Sequence, residues 1–174
     1  MVRVGNQKGL KDYVNLRIVA QSIFLLTIII EIVFALLFIA LHNYLPHWFV
    51  NADDAVQLKD NSEVIKIAST LLIVAAVFQI SDGIQVVVLG ALRGLQDVKI
   101  PTVITFVAYW VIGFPISFYL GLYTPLKATG IWIGLLAGLT AAALFLYLRF
   151  NYLTRQYINE SGQSEALSLK PQNN

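Results

Sequence analysis

Cysteine is absent from all 174 residues, so the chain forms no disulfide and offers no thiolate to a metal. Charge is scarce as well: Asp, Glu, Lys and Arg make up 13% of the residues, against about 25% in soluble domains. The net charge of +2 is small and scattered, which leaves no footprint for nucleic acid. There are two histidines, His42 and His47, and neither has an acid at ligand spacing on a common helix face. Both read as interfacial residues. No glycine-rich phosphate loop, nucleophile–base pair or HExxH-type helix occurs, so enzyme chemistry of the soluble kinds has no sequence support. Residues 1–17 hold Arg3, Lys8, Lys11, Asp12 and Arg17 but no apolar stretch or small-residue cleavage site. A signal peptide is not expected there, and the first apolar run would act as its own insertion signal.

What the chain has in excess is apolar residue, 57% against roughly 45–50% in soluble domains, and the excess is gathered in blocks. Four blocks are long enough to cross a hydrocarbon core of about 30 Å, which takes about 20 residues of helix. They are 18–41, 64–92, 100–122 and 129–152, and they predict an all-α integral membrane protein with four transmembrane helices. The second is longer than one span requires, so tilt or projection beyond the membrane is expected. Residues 1–16 read as a turn region, because Gly5-Asn6 and Gly9 break a helix, and Asp12 is placed to cap the next one. Tyr44, Trp48 and Phe49 around Pro46 are aromatics of the kind that collect at the water interface. Residues 153–174 are polar and read as a disordered cytoplasmic tail.

Nine of the 12 Lys and Arg residues lie on one side of these spans: Arg3, Lys8, Lys11, Arg17, Arg93, Lys99, Arg149, Arg155 and Lys170. Only Lys59, Lys66 and Lys127 lie on the other. By the positive-inside rule both termini are cytoplasmic. The 43–63 loop, with Asp53, Asp54, Asp60 and Glu63, then faces out.

Asp82 stands in the middle of the second apolar run. A carboxylate at bilayer depth costs about 2.5–3.5 kcal/mol on insertion scales, so it is rarely placed there without a use. Gln79 and Gln85 lie three residues to either side, within about 60° of Asp82 on a helix. Lipid cannot satisfy such a stripe, which must face protein or a water-filled cavity. A low dielectric favours the neutral acid and a nearby cation favours the carboxylate, a competition suited to a coupling site. Glu31 is the second intramembrane acid, one turn after Thr27. It either lines a cavity and attracts organic cations or pairs with a donor elsewhere. Tyr109 and Trp110 either stack on a planar cation or pack in the core.

Of three further features, the first reads equally as a transporter kink or as an ordinary membrane-helix kink, and the other two read as structural. Gly113-Phe114-Pro115 predicts a kink near Pro115, whose ring removes one helix hydrogen bond and clashes with the carbonyl four residues back. Gly130, Gly134 and Gly138 line one face of the fourth span, where a neighbouring helix can approach closely. The segment from Gly90 to Pro101 reads as a compact hairpin: Arg93 suits a helix carboxyl end, and Gly94 can close the helix in the left-handed conformation. Asp97 can cap the next helix, with Pro101 in its first turn.

The ordered set Phe78-Gln79-x-x-Asp82-Gly83-x-Gln85, Gly90…Arg93-Gly94…Asp97…Pro101 and Tyr109-Trp110-x-x-Gly113-x-Pro115 resembles the multidrug and toxic compound extrusion (MATE) family. The opening Arg3-Val4-Gly5-Asn6…Gly9 resembles that family's turn after its eighth helix, and the resemblance runs from about residue 2 to 150. It implies a protein of twelve helices in two six-helix lobes that exports cationic and amphiphilic compounds in exchange for sodium or protons. The four spans would be helices nine to twelve, part of the carboxyl-terminal lobe, in a bacterial cytoplasmic membrane. Asp82 would be the cation-coupling residue, with Gln79, Gln85 and Phe78 beside it and sodium as one candidate ion. Phe78 stands where some members carry a tyrosine hydroxyl, and the seventh-helix acid that partners the aspartate lies outside this chain. The expectation is therefore a carboxyl-terminal fragment that does not transport alone and whose partners are the amino-terminal helices, the bilayer and amphiphilic organic cations. Two rivals remain: a lipid-linked glycan flippase of the same superfamily, and a stand-alone four-helix membrane subunit held together by the glycine face.

Overall fold

The computed structural model describes residues 1–49 and 58–168, and Asp53, Asp54 and Lys170 lie outside that set. Helix α1 is Val2–Gly9, α2 Tyr13–Leu41, α3 Leu45–Phe49 and α4 Leu58–Gly94. Then follow α5 Lys99–Val107, a π-helical segment Ala108–Gly113, α6 Phe114–Leu122 and α7 Lys127–Ser168. No strand occurs among the described residues. Four helical stretches are long and apolar enough to cross a membrane: Tyr13–Leu41, Ser62–Gly94, Lys99–Leu122 and Lys127–Gln163. Each contains one of the four apolar runs. The large apolar side chains left exposed on α2, such as Leu25, Ile29, Val33 and Leu36, are what a lipid-facing helix presents.

Helix α4 packs on both α2 and α7, and α7 packs on α6 and the π segment. One cluster of buried residues ties four helices together: Val4 of α1, Leu16, Ala20 and Phe24 of α2, Val88, Leu92 and Leu95 around the end of α4, and Leu146, Phe150 and Leu153 of α7. The start of α2 is fixed locally, since the Asp12 carboxylate accepts from the Asn15 main-chain N–H at 3.1 Å.

Residues 2–9 form a helix rather than the expected turn region. Glycine costs a helix about 1 kcal/mol, but α1 is held by its packing against the end of α4. Val4 is buried, and a β-carbon on Gly94 would lie 2.8 Å from the Met1 carbonyl and 3.1 Å from the Val4 β-carbon. The Lys8 ammonium donates to the Leu95 carbonyl at 2.6 Å and lies 5.7 Å over the Tyr157 ring. Gly94 thus serves for close approach and not for a left-handed turn: the hairpin residue with positive φ is Gln96, at 60°. Asp97 does not cap α5 either, whose cap position is Val98 with no side-chain bond. Its carboxylate is drawn instead to Arg149 Nε at 2.9 Å, tying the hairpin to α7. Arg93 stands in the last turn of α4 and Pro101, fully buried, in the first turn of α5, as expected.

For residues 153–168 the expected tail disorder is also corrected, because α7 continues through Ser168, while residues 169–174 lie outside the described set. The reason is a periodic face that composition hides: Leu146, Phe150, Leu153 and Tyr157 follow helical spacing, and Tyr157 stacks on Tyr13 with centroids 5.2 Å apart. At about 1.5 Å per residue, a 42-residue helix is about 63 Å long, roughly twice the hydrocarbon core.

Near Pro115 the chain widens into the π segment just before the proline. A wider turn gives the Pro115 ring room from the preceding carbonyls, so the conflict is absorbed by a bulge. The glycine face of α7 is used within the chain. A β-carbon on Gly134 would overlap the Ser117 backbone, one on Gly138 would lie 2.8 Å from the Gly113 α-carbon, and one on Gly130 would lie 2.5 Å from the Leu120 carbonyl oxygen.

Candidate functional site

The three polar residues of the α4 stripe do different things. Gln85 is buried, and its Oε1 accepts the Tyr109 hydroxyl at 2.7 Å. Gln79 donates from Nε2 to the Glu31 main-chain carbonyl at 3.2 Å. Asp82 lies between them in sequence and is exposed, with no hydrogen-bond or ion-pair partner among the described residues.

Glu31 belongs to the same place. Its Oε1 and Cγ would lie 2.6 and 2.8 Å from a β-carbon on Gly83, so the carboxyl group rests against α4 beside the Asp82 backbone. The two intramembrane acids, far apart in sequence, are brought to one helix. Asp82 therefore stands between α2 with Glu31 on one flank and the Tyr109–Gln85 bond on the other. Gly83 is the position of close approach beside the site that sequence reasoning did not single out. The available signal was a glycine directly beside a membrane-depth acid, which marks a close approach without naming what approaches.

Gly83→Ala is expected to push the Glu31 side chain aside at a cost of about 1 kcal/mol, the low end for overpacking because a side chain can rotate away. In a Glu31→Ala background the same change should instead gain about 0.5–1 kcal/mol, the ordinary helix preference for alanine. Thermal unfolding of the four variants in detergent reads the difference, and equal effects in both backgrounds would show that Glu31 does not rest there.

The remaining site candidates separate. Phe78 packs edge-on against Trp132 of α7, with centroids 5.6 Å apart, and is committed to helix packing. Trp110 is largely exposed and stands between Phe106 and Phe114 at 6.0 and 5.7 Å, a ladder of rings at helical spacing. A groove of about 290 Å³ runs between α4 and the third span, lined by Leu89 and Arg93 on one side and Thr105, Phe106, Tyr109 and Trp110 on the other. Leu89 and Arg93 follow Asp82 by seven and eleven positions, so all three share one face of α4. Gly94, Asp97 and Pro101 belong to the hairpin packing and not to this face.

Among the described residues no three His, Cys, Asp or Glu side chains gather around a point that could hold a metal ion. The arrangement supplies one unpaired carboxylate, a second carboxyl on the neighbouring helix, a hydroxyl–amide pair and an aromatic groove.

The MatE family model matches residues 1–119. The chain is 36% identical over 159 residues to a multidrug resistance protein NorM of Photobacterium profundum, covering 89% of this chain and 33% of that protein. It is 38% identical over 163 residues to a probable multidrug resistance protein NorM of Bacillus thuringiensis, with 94% and 34% covered. Against a multidrug resistance protein MdtK of Cronobacter sakazakii the identity is 45% over 106 residues, 59% of this chain and 23% of that one. For the NorM relatives that align with most of it, the chain spans about a third of their length.

Proposed function

This chain belongs to the MatE family, and on that premise we propose that it forms part of a cation-coupled exporter of drugs and other amphiphilic organic cations, a transporter rather than an enzyme. The observation that carries the reading is the Asp82 carboxylate, unpaired on an exposed face of a membrane-spanning helix and flanked by Glu31 and by Tyr109–Gln85. A carboxylate at that depth is stable only against protein or water, so the face would line a cavity closed by helices outside this chain. Exchange then follows from charge. A sodium ion or proton and a cationic drug each neutralise the same acids, so the arrival of one favours the release of the other. Alternating access of this kind needs two halves rocking about a central site, so these four spans alone would not transport.

Sodium in such an exchange is cargo, not a resident metal. Asp82 offers two free oxygens and Gln85 Oε1 keeps one lone pair beside the Tyr109 bond, so further ligands would come from Gln85, water, Glu31 or the other half. The sidedness follows the same logic. Eight of the nine cations counted to the inner side stand on α1, the adjoining turn, the start of α2, the hairpin and the far part of α7, which pack together, and that end would be cytoplasmic in a bacterial cell membrane.

The test is transport by the full-length protein in vesicles loaded with a fluorescent cationic drug. Efflux should accelerate under an imposed sodium gradient or an imposed proton gradient. Equal efflux with either gradient and with none would overturn the reading.

A further inference from the structure

A second groove lies on the other side of α4, between α2 and α7. Its upper part, about 720 Å³, is lined by Arg17 of α2 and by Tyr147, Asn151, Tyr152, Arg155 and Gln156 of α7. Its lower part, about 490 Å³, is lined by Gln21, Phe24, Leu25 and Ile28 of α2, Ile84 of α4 and again Tyr147. Tyr147 is common to both, so polar and apolar halves meet at one side chain. Both volumes fall in the about 300–1,000 Å³ range of small-molecule sites. Ile84 is two residues from Asp82, about 200° around the helix, so this groove faces away from the acidic site.

The polarity changes where the membrane ends. The apolar run of α2 begins directly after Arg17, and that of α7 gives way at Arg149 to Asn151, Tyr152 and Arg155. Tyrosines at such a boundary are interfacial anchors. Arg17 reaches across the groove to donate from Nη2 to Asn151 Oδ1 at 3.3 Å, which holds its guanidinium over the opening. Neither Arg17 nor Arg155 has an ion-pair partner among the described residues, whereas Arg149 is already committed to Asp97. The one acid on the rim, Glu160, accepts from Gln156 at 2.9 Å, so two cations face one carboxylate.

We propose that this groove binds one anionic phospholipid, its phosphate on Arg17 and Arg155 and an acyl chain along Phe24, Leu25, Ile28 and Ile84. Guanidinium groups match phosphate oxygens in geometry as well as charge. A basic pocket at a helix–helix junction of the membrane interface is where such headgroups are held. The bound lipid would fill the space between α2 and α7 at the end where the core cluster already joins them.

The test is native mass spectrometry of the full-length protein released from nanodiscs of phosphatidylcholine mixed with phosphatidylglycerol. The wild type should retain phosphatidylglycerol preferentially. Arg17→Gln or Arg155→Gln should lower that preference about fivefold each, and the double variant about 25-fold. Arg3→Gln, the same charge change on exposed α1, should leave it intact. A second variant keeps both arginines: Leu25→Trp should be quenched more strongly by brominated phosphatidylglycerol than by brominated phosphatidylcholine. Undiminished preference in the double variant, an equal loss with Arg3→Gln, or equal quenching by the two lipids would each overturn the proposal.

Discussion

Asp82→Asn in the proposed exporter is expected to reduce gradient-driven drug efflux to the level of protein-free vesicles while leaving the protein folded. Asparagine keeps the shape of the side chain and removes its charge. It also removes the cost of holding a carboxylate at bilayer depth, about 2.5–3.5 kcal/mol, so stability should hold or rise as transport is lost. That opposite movement separates a coupling residue from a structural one. A structural acid would show the reverse, with transport surviving wherever the fold survives. Undiminished coupled efflux by Asp82→Asn would remove the residue from the mechanism. Glu31→Gln supplies the comparison: if the two acids share the work, it should weaken drug affinity and leave some gradient dependence in place.

Gly134→Val is expected to have the largest effect on stability. Even one β-carbon at this position overlaps the Ser117 backbone, and backbone cannot rotate out of the way as a side chain can. The helices must separate, and the losses extend to the Ser117 Oγ bond to the Ile131 carbonyl and to the Gly113–Gly138 contact next to it. Overpacking costs about 1–3 kcal/mol where neighbours can adjust, and this site is at or beyond the upper end. Gly162→Ala is the matched control, since nothing lies within 4 Å of its added carbon and the helix preference alone gives up to about 1 kcal/mol of gain. Thermal unfolding in detergent should separate the two variants widely, and similar midpoints would show that α6 and α7 are not packed as described.

The features legible in the sequence were those set by local geometry. Four apolar runs predicted four spans because length and hydropathy alone decide whether a helix can cross. Gln79, Asp82 and Gln85 could be placed on one face because the helical repeat is fixed. Asp12 could be assigned as a cap because its bond reaches only three residues ahead. The misreadings arose where a distant contact outweighed a local preference. Asp97 is a good cap by type but has Arg149 within reach. Gly5 and Gly9 disfavour an isolated helix, yet Val4 and Lys8 find partners on α4 and α7. The tail is polar by composition, while Leu153 and Tyr157 continue a buried face that only helical spacing reveals. In the site, the resting place of Glu31 on Gly83 depends on how α2 crosses α4, which no residue pattern states.

The π segment ahead of Pro115 has a mechanical consequence. It stores one residue of slack within a membrane-spanning helix. If Ala108–Gly113 tightened to an α-helical turn, the chain on one side would rotate by about 100° relative to the other and shift by about 1.5 Å along the axis. Tyr109 lies inside the segment, so the rotation would swing its hydroxyl off Gln85, while Gly113 and Gly138 offer smooth backbone for α7 to slide against. The same helix could thus act as a ratchet, with the tyrosine–glutamine bond as its pawl.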